Sequence, residues 1–500
     1  MKKDLHMLAF DFGASSGRAV LGIFDGKQIR FEEVHRFTNE PVWVNGRFYW
    51  DILRLWHEVK VGLSKALAQG IAISSIGVDT WGVDYGLLDN KGQLLANPHH
   101  YRDQRTVPVM NALVQRYGED YFYERSGVQF MSFNTVFQLA EDIQNQPELM
   151  KLADKALLMP DLFNYLLTGQ QATEFSIAST TGLMNVQTRS WDREMLNAIG
   201  LAPEKLLPII PAGTRLGVLT QSFCDELGCR PIPVVAVAGH DTAAAIAAAP
   251  LASPEAGFLS SGTWSLLGVE NQEPLVTAAA RKMNFTNEGG LDHTALLFKN
   301  INGLWLLQEC RRIWRHQNPD LDYGMISKAA RAVKSLGPLI NINEQRFFAP
   351  RDMVAEIQGY CQETGQPIPS SVGEIARCIY DSLAMEYRNV VEKLHQLTGK
   401  PLTTMHIVGG GSQDEFLAQL TADALDLPVT AGPVEATAIG NLMIQAIGIG
   451  ALSGRQEARE VIKRSFTVRE YEPEHSDLAQ TYQRYLNLIQ SNNERGSSNG

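Results

Sequence analysis

Two short loops constrain this 500-residue chain more than any other feature. DFGASSGR (11–18) lies between the apolar stretches LHMLAFDF (5–12) and RAVLGIF (18–24), and LSSGTWSLLG (259–268) occupies a similar place in the second half. Each joins a buried strand to a returning one through a turn of Gly, Ala, Ser or Thr. Asp25-Gly26 then predicts a hairpin into QIRFEEVHRF, so the chain opens with a three-strand meander. A helix follows, capped by Asp51, with Ile52, Leu55, Trp56, Val59, Leu63 and Leu67 on one face and Gly70 past its end. Residues 71–79 (IAISSIGVD) predict a further buried strand. The second half repeats the pattern. It shows two strands within 256–269, a hairpin within 281–298 around Gly289-Gly290, and a helix over 371–398 with Ile375, Ile379, Leu383, Val390, Leu394 and Leu397 on one stripe. Strand 404–408, helix 412–425, strand LPVT and helix 433–447 complete it. A meander followed by alternating helix and strand, twice over, predicts a duplicated α/β unit whose two domains face each other across a cleft. Segment 104–225 reads as a mostly helical insertion, and the last twelve residues, IQSNNERGSSNG, as a frayed polar tail.

Bulk properties narrow the class. Hydrophobic residues make up 44% and charged residues 20%, which places the chain among ordinary globular proteins. The net charge of −11 argues against a nucleic-acid or anionic-membrane partner, because phosphate backbones and lipid headgroups need a basic footprint. A phosphate ligand would therefore need local backbone donors and a metal. No run of 18 apolar residues exists, and the opening MKKDLHMLAFDFG is broken by Asp11 too early for a secretory segment, so a cytoplasmic protein is expected. The five cysteines (224, 229, 310, 361, 378) form no CxxC and no zinc pattern. Cys361 and Cys378 can pair, but free thiols are the default in a reducing compartment.

The residues that suggest chemistry are few. VVAVAGHDTAAAIAAAP (234–250) sets His240, Asp241 and Thr242 in an alanine-rich run, where an unpartnered carboxylate costs roughly several kcal/mol or more. One reading is a strand end meeting a helix with Asp241 as its cap; the other is a functional carboxylate at the mouth of a cleft. In DFGASSGR, Gly13, Ser15, Ser16 and Gly17 can turn N–H groups and hydroxyls toward a phosphate, Arg18 adds charge, and Asp11 at the strand end can hold a metal ion through water. A plain β-turn is the alternative. The same letters match G-x-S-x-G from Gly13 to Gly17, but that nucleophile elbow needs a helix next, and here a strand follows. Thr263 is a hydroxyl donor in the second loop. IVGGGSQDEF (407–416) is neither G-x-G-x-x-G nor a Walker loop. Ser412 and Glu415 read as a capping box, and with Asp414 they disfavour phosphate; the loop suits a flat nucleoside lying on Gly409, Gly410 and Gly411. Ala436 and Gly440 form a small-residue helix face. GVDTWGVD (77–84) and HYRDQR (100–105) carry the hydrogen-bonding groups that a polyol lining requires, or are surface loops.

Together these motifs resemble one known set. DFGASSGR, SSGTWSLLG and HIVGGG resemble the two phosphate motifs and the adenosine motif of the actin-like ATPase fold. MPDLFNYLLTGQQATEFSIASTTGL (159–183) and AGPVEATAIGN are similar to segments of the FGGY carbohydrate kinases, and AGHDTAAA matches the position of that family's catalytic aspartate. GVDTWGVDYGLLD, NPHHYRDQRT, RSGVQFMSFNT, MNFTNEGG and KNINGLWLLQECRR extend the resemblance from Leu8 to the region of residue 450. Ala14 departs from the threonine of many family members, which leaves the phosphate contact to Ser15, Ser16 and backbone.

The resemblance implies an α/β, actin-like ATPase (ribonuclease H-like) fold with two duplicated domains around a central cleft. It implies a sugar- and phosphate-binding domain at 1–245, a nucleotide-binding domain at 246–460 and a C-terminal segment at 461–500. The implied reaction is ATP-dependent phosphorylation of L-rhamnulose at its 1-hydroxyl, with Asp241 as general base and Asp11 helping to hold Mg²⁺. Ala14, Ser15, Ser16, Gly17, Arg18, Thr263, Gln308 and Gly410 would contact ATP; Gly82, His240, Asp241, Thr242 and Asn300 would contact the sugar. Gln308 and Asn300 rest on the resemblance alone. Nucleic acid and membrane are not expected as partners, and monomer or homodimer stays open. Competing readings are a family kinase for another ketose or polyol, such as xylulose or fuculose, and an actin-like ATPase acting as a binding module.

Overall fold

The computed structural model describes residues 4–251, 253–333, 337–348, 350–474 and 478–497. Two compact units are present: Met1–Pro250 with Glu270–Leu297 and Glu435–Thr467, and Leu251–Val269 with Phe298–Val434 and Val468–Gly500.

The first unit opens with β1 (Leu5–Phe12), β2 (Ser16–Phe24) and β3 (Ile29–Thr38), then α1 (Ile52–Leu67) and β4 (Ile73–Thr80). β5 (Thr214–Val218) and β6 (Pro233–Ala236) complete a sheet in the order β5-β6-β4-β1-β2-β3, and α2 (Asp241–Ala248) follows β6. Met7 to Phe12 are all buried, as expected of a strand covered on both faces. β1 runs antiparallel to β2 and parallel to β4, and that register sets Asp11 beside both Arg18 and Asp79. The Asp51 side chain accepts the Arg54 N–H and starts α1, whose Ile52, Leu55, Val59 and Leu63 are buried, while Trp56 and Leu67 are half-buried. The insertion carries eight of the helices between Val107 and Leu227, in accord with its helical reading.

The second unit repeats the scheme with β7 (Ala256–Ser261) and β8 (Trp264–Asn271). β9 (Thr286–Gly289), β10 (Ala295–Asn302), α3 (Val372–Thr398), β11 (Thr404–Val408), α4 (Glu415–Leu425), β12 (Val429–Ala431) and α5 (Ala436–Gly448) come next in the chain, β9 and α5 belonging to the first unit. Its strands run β10-β8-β7-β11-β12, with β7, β11 and β12 parallel and β8 antiparallel to β7. This is the order β3-β2-β1-β4-β6 of the first sheet, so the duplication is real, and each copy has the actin-like ATPase (ribonuclease H-like) topology. Ser371 and Glu374 form a reciprocal capping box on α3, and Ile375, Ile379, Leu383, Val390 and Leu394 line its buried stripe. Within the first unit, α5 meets α2 backbone to backbone: a Cβ at Gly440 would stand 1.9 Å from the Ala244 carbonyl oxygen.

Three local expectations change. The stretch expected to open a hairpin at 281 is still helical through Lys282, and the chain returns through Leu291–His293 with Asp292 and His293 at left-handed φ. The C-terminal stretch is helical from Ala479 to Ser497 rather than frayed. Buried Tyr482 and Tyr485 anchor the start of that helix by donating to Glu392 and Glu386 of α3. Ser498 to Gly500 of the expected tail lie outside the described residues. The last helix of the glycine loop begins at Glu415, after a tight turn over Gly410–Gln413. Among the described residues no helix is long and apolar enough to cross a membrane.

Candidate active site

Beyond β6 the chain passes through Gly239 and His240 into α2. His240 occupies the cap position with extended backbone and no side-chain cap bond, so Asp241 is the first helical residue and not the cap. A carboxylate in the first turn is favoured by the helix dipole. The insertion segment holds this corner. Buried Glu174 caps the Phe175–Ser179 helix and accepts the Gly239 N–H (2.8 Å), Ser176 Oγ accepts the His240 N–H (3.2 Å), and the Gly239 carbonyl accepts the Thr80 N–H (2.9 Å). Thr242 Oγ1 donates to Asp241 Oδ1 (3.2 Å), and His240 Nε2 stands 3.4 Å from the same oxygen. The Asp241 side chain is 34% exposed. Its pKa is raised by the surrounding protein and by Asp11, against the opposing pull of His240. Gly82 lies against the His240 ring: a Cβ there would be 3.4 Å from Nε2.

The loop that carries Gly82 is strained and heavily anchored. Val83 has φ +67°, an outlier for a β-branched residue. Its N–H donates to Thr180 Oγ1 (3.2 Å), and its carbonyl accepts from Thr135 Oγ1 (2.6 Å). Asp84 beside it accepts from Trp50 Nε1, Trp81 Nε1, the Tyr101 N–H and Gln138 Nε2 at 2.6 to 3.2 Å, and burial lifts it to about 6. Arg105 of HYRDQR is buried against Glu141 and Asp142, so its charge is used internally.

At the first loop, Arg18 Nε and Nη2 donate to Asp11 Oδ2 (2.9 and 2.7 Å), and Nη1 pairs with Glu435 at the start of α5. Asn39 closes the loop by donating its N–H to the Ser15 carbonyl and Nδ2 to the Gly13 carbonyl, leaving Ser15 exposed. Neither Gly13 nor Gly17 takes a left-handed φ. Gly17 is demanded by packing, since a Cβ would be 2.3 Å from the Phe37 ring. Asp79 is fully buried; Asn441 Nδ2 donates to its Oδ2 (2.5 Å), and Oδ1 has no partner. Burial first, then Asp11 and Asp241, push its pKa well above the usual carboxylate range. Asp11 and Asp79, side by side and repelling each other, the second with an orphaned buried oxygen, suit a hard divalent cation. Among the described residues no three ligating side chains form a cage, the usual situation for Mg²⁺, which keeps waters and substrate phosphates.

In the second unit Thr263 Oγ1 donates to Gln308 Oε1 (3.2 Å), so two residues expected at the nucleotide meet. Asn300 lies half-buried on β10. The three glycines differ in purpose. Gly409 takes φ +85°, a Cβ at Gly411 would be 2.0 Å from Ser261 Oγ, and Gly410 is exposed with open space around it. The capping box expected of Ser412 and Glu415 does not form. Ser412 donates to the Gly409 carbonyl, Asp414 caps α4 through the Phe416 and Leu417 N–H groups, and Glu415 pairs with Arg469. The tight turn moves the helix start three residues on, which hands the cap to Asp414.

Glu174, Asp79 and Glu288 were not singled out from sequence. Asp79, at the end of the apolar run SIGVD, carries the signal that marked Asp241; Glu174 and Glu288 sit among polar neighbours in QQATEFS and NFTNEGG and carry none.

Residues 6–247 match the N-terminal domain and residues 257–449 the C-terminal domain of the FGGY family of carbohydrate kinases, and the chain belongs to that family. Among its relatives, a rhamnulokinase of Bacteroides thetaiotaomicron is 44% identical over 469 residues, 94% of this chain and 96% of the relative. A rhamnulokinase of Pectobacterium atrosepticum is 42% identical over 488 residues, 97% of each. The fold is shared with a gluconate kinase from Lactobacillus acidophilus at a TM-score of 0.79 and 16% identity, over 98% of each chain.

Proposed function

We propose that the protein transfers the γ-phosphoryl group of ATP to the 1-hydroxyl of L-rhamnulose, giving L-rhamnulose 1-phosphate and ADP. The observation that carries this reading is the placement of Asp241, a partly open carboxylate in a helix first turn, in a chain that matches rhamnulokinases along nearly its whole length.

Asp241 accepts the proton of the sugar hydroxyl as its oxygen attacks phosphorus. Thr242 orients the carboxylate, and Gly82, His240, Thr242 and Asn300 contact the sugar. Ser15, Ser16 and the backbone from Ala14 to Gly17 hold phosphate, with Arg18 steadying Asp11. Thr263, Gln308 and Gly410 contact the rest of the nucleotide, Gly410 through its open face. We assign the sugar and phosphate contacts mainly to residues 1–245 and the nucleotide contacts mainly to 246–460. Asp11 would hold Mg²⁺ through water, and the ion would neutralise charge on the phosphates. The five free cysteines suit a reducing cytoplasm.

The test is ADP release with Mg-ATP across a panel of ketoses, L-rhamnulose and L-xylulose side by side, with Asp241→Asn as control. Strong turnover with L-rhamnulose and none in the variant is expected. Preference for another sugar overturns the substrate and keeps the base. No stimulation by any sugar overturns the kinase reading in favour of a partner-binding ATPase.

A further inference from the structure

Behind Asp241 stands a second carboxylate that the reaction as described does not use. Glu288, on β9, is 8% exposed and places Oε2 3.0 Å from His240 Nδ1. The contact is an ion pair, for that oxygen has no hydrogen-bond partner, while Oε1 accepts from Thr286 Oγ1 (3.3 Å). The opposite ring nitrogen, Nε2, faces Asp241 Oδ1 at 3.4 Å and lies beside Gly82. The imidazole is thus strung between two acids, one buried and one partly open. β9 is itself tied to the insertion, for the Gly289 N–H donates to Ser179 Oγ (2.7 Å).

The geometry points to Glu288 as a positioning residue for phosphoryl transfer: with a carboxylate facing each ring nitrogen, His240 is held as the imidazolium, Nδ1–H toward Glu288 and Nε2–H aimed at the same space that Asp241 faces. This rests on the kinase reading above. A sugar hydroxyl lying there donates its hydrogen to Asp241 and accepts the Nε2 hydrogen. In the transfer step the hydroxyl O–H bond breaks and its proton goes to Asp241. The oxygen forms a bond to the γ-phosphorus, and the bond to the β,γ-bridging oxygen breaks with its electron pair leaving on ADP. His240 gives up no proton; it fixes the direction of the attacking lone pair and the orientation of the base.

The charged groups that face His240 support the same arrangement. They are Asp241 on its own helix, Glu288 from β9 and Glu174 from the cap of the Phe175–Ser179 helix, all carboxylates. Burial disfavours the charged ring, and these acids, Glu288 foremost, outweigh it, so the His240 pKa is raised. An imidazolium in turn pulls the Asp241 pKa down. Glu288 therefore widens the pH range in which the ring is charged and Asp241 is ionised, ready to accept a proton.

The experiment compares wild type, Glu288→Gln and Glu288→Asp by pH-dependent kcat and kcat/KM for L-rhamnulose, together with NMR titration of the His240 ring nitrogens. Glu288→Gln should lose roughly ten- to a hundredfold in kcat through misplacement. Its rate profile should narrow from both sides as His240 titrates lower, by about one unit or more, and Asp241 higher. Glu288→Asp should restore the width of the profile. An unchanged kcat and unchanged limbs in Glu288→Gln overturn the proposal. So does a fall in activity with unshifted limbs, which marks a purely structural role. If Glu288→Gln does not fold, Glu288→Asp decides: a rate profile as wide as that of wild type supports the proposal, and a narrowed one overturns it. A wild type inert toward every sugar overturns the kinase reading and this proposal with it, whereas active wild type with an unaltered variant overturns this proposal alone.

Discussion

At the scale of single residues, the electrostatics of the site are set by acids that are too close together. Asp241 is favoured by the α2 dipole and by His240, and opposed by burial and by Asp11. Asp241→Asn should therefore lose ~10²–10⁴ in kcat, the usual size for a general base, while its melting temperature holds or rises because a repelled charge is gone. A variant within a few-fold of wild type would sink the assignment. Elsewhere, burial lifts both Asp84 and Asp381 to about 6, the second despite its pairing with Arg377 (2.8 Å). Their folded values exceed the ordinary 3.8, so the native state holds these protons more tightly than the unfolded chain. The stabilisation they add is complete below that value and is lost as pH rises to about 6. Asp381→Asn should flatten the dependence of the urea midpoint on pH between those limits; an unchanged slope would refute the assignment.

At the scale of elements, two glycines with the same letter have opposite prospects. Gly440 of α5 lets that helix touch α2 through the Ala244 carbonyl. Gly440→Ala should cost on the order of 1–3 kcal/mol or more by overpacking, visible as a lower denaturation midpoint. It should lower activity too, because α2 carries Asp241 at its first turn. Gly410 has open space where a Cβ would go and sits on an exposed turn. Gly410→Ala should leave stability unchanged and raise the KM for ATP, since the added methyl would occupy the face assigned to the nucleoside. An unaltered KM would remove Gly410 from the nucleotide contacts.

At the scale of the whole molecule, the prediction concerns which acceptor the γ-phosphoryl group finds. Water competes with the sugar for the same base, and a kinase has to exclude it. ATP hydrolysis without sugar, followed by ADP release, should stay far below the sugar-stimulated rate. Fast sugar-independent hydrolysis would instead favour an ATPase whose role is binding. The duplicated sheet order is compatible with either activity, and family membership with close relatives that are sugar kinases favours the first.

The chain's letters by themselves determined the strand meanders, the capped helices, the duplication and the acid at 241. These are local matters: periodicity of apolar residues, turn chemistry and caps act over a few residues and are readable in order. The Ser371–Glu374 capping box formed as a local rule predicts, whereas Ser412–Glu415 did not, because the turn after Gly409 packs on Ser261 and shifts the helix start. Gly17, read from its letters as part of a phosphate turn, is in addition demanded by packing, because its neighbour Phe37 comes from another strand. The partners of the polar triplet were equally hidden. Glu174 arrives from the insertion and Glu288 from β9, and only the tertiary structure brings them to Gly239 and His240. A charge is sensed through space over a few ångströms, and no pattern along the chain records which distant segment will supply its counter-charge.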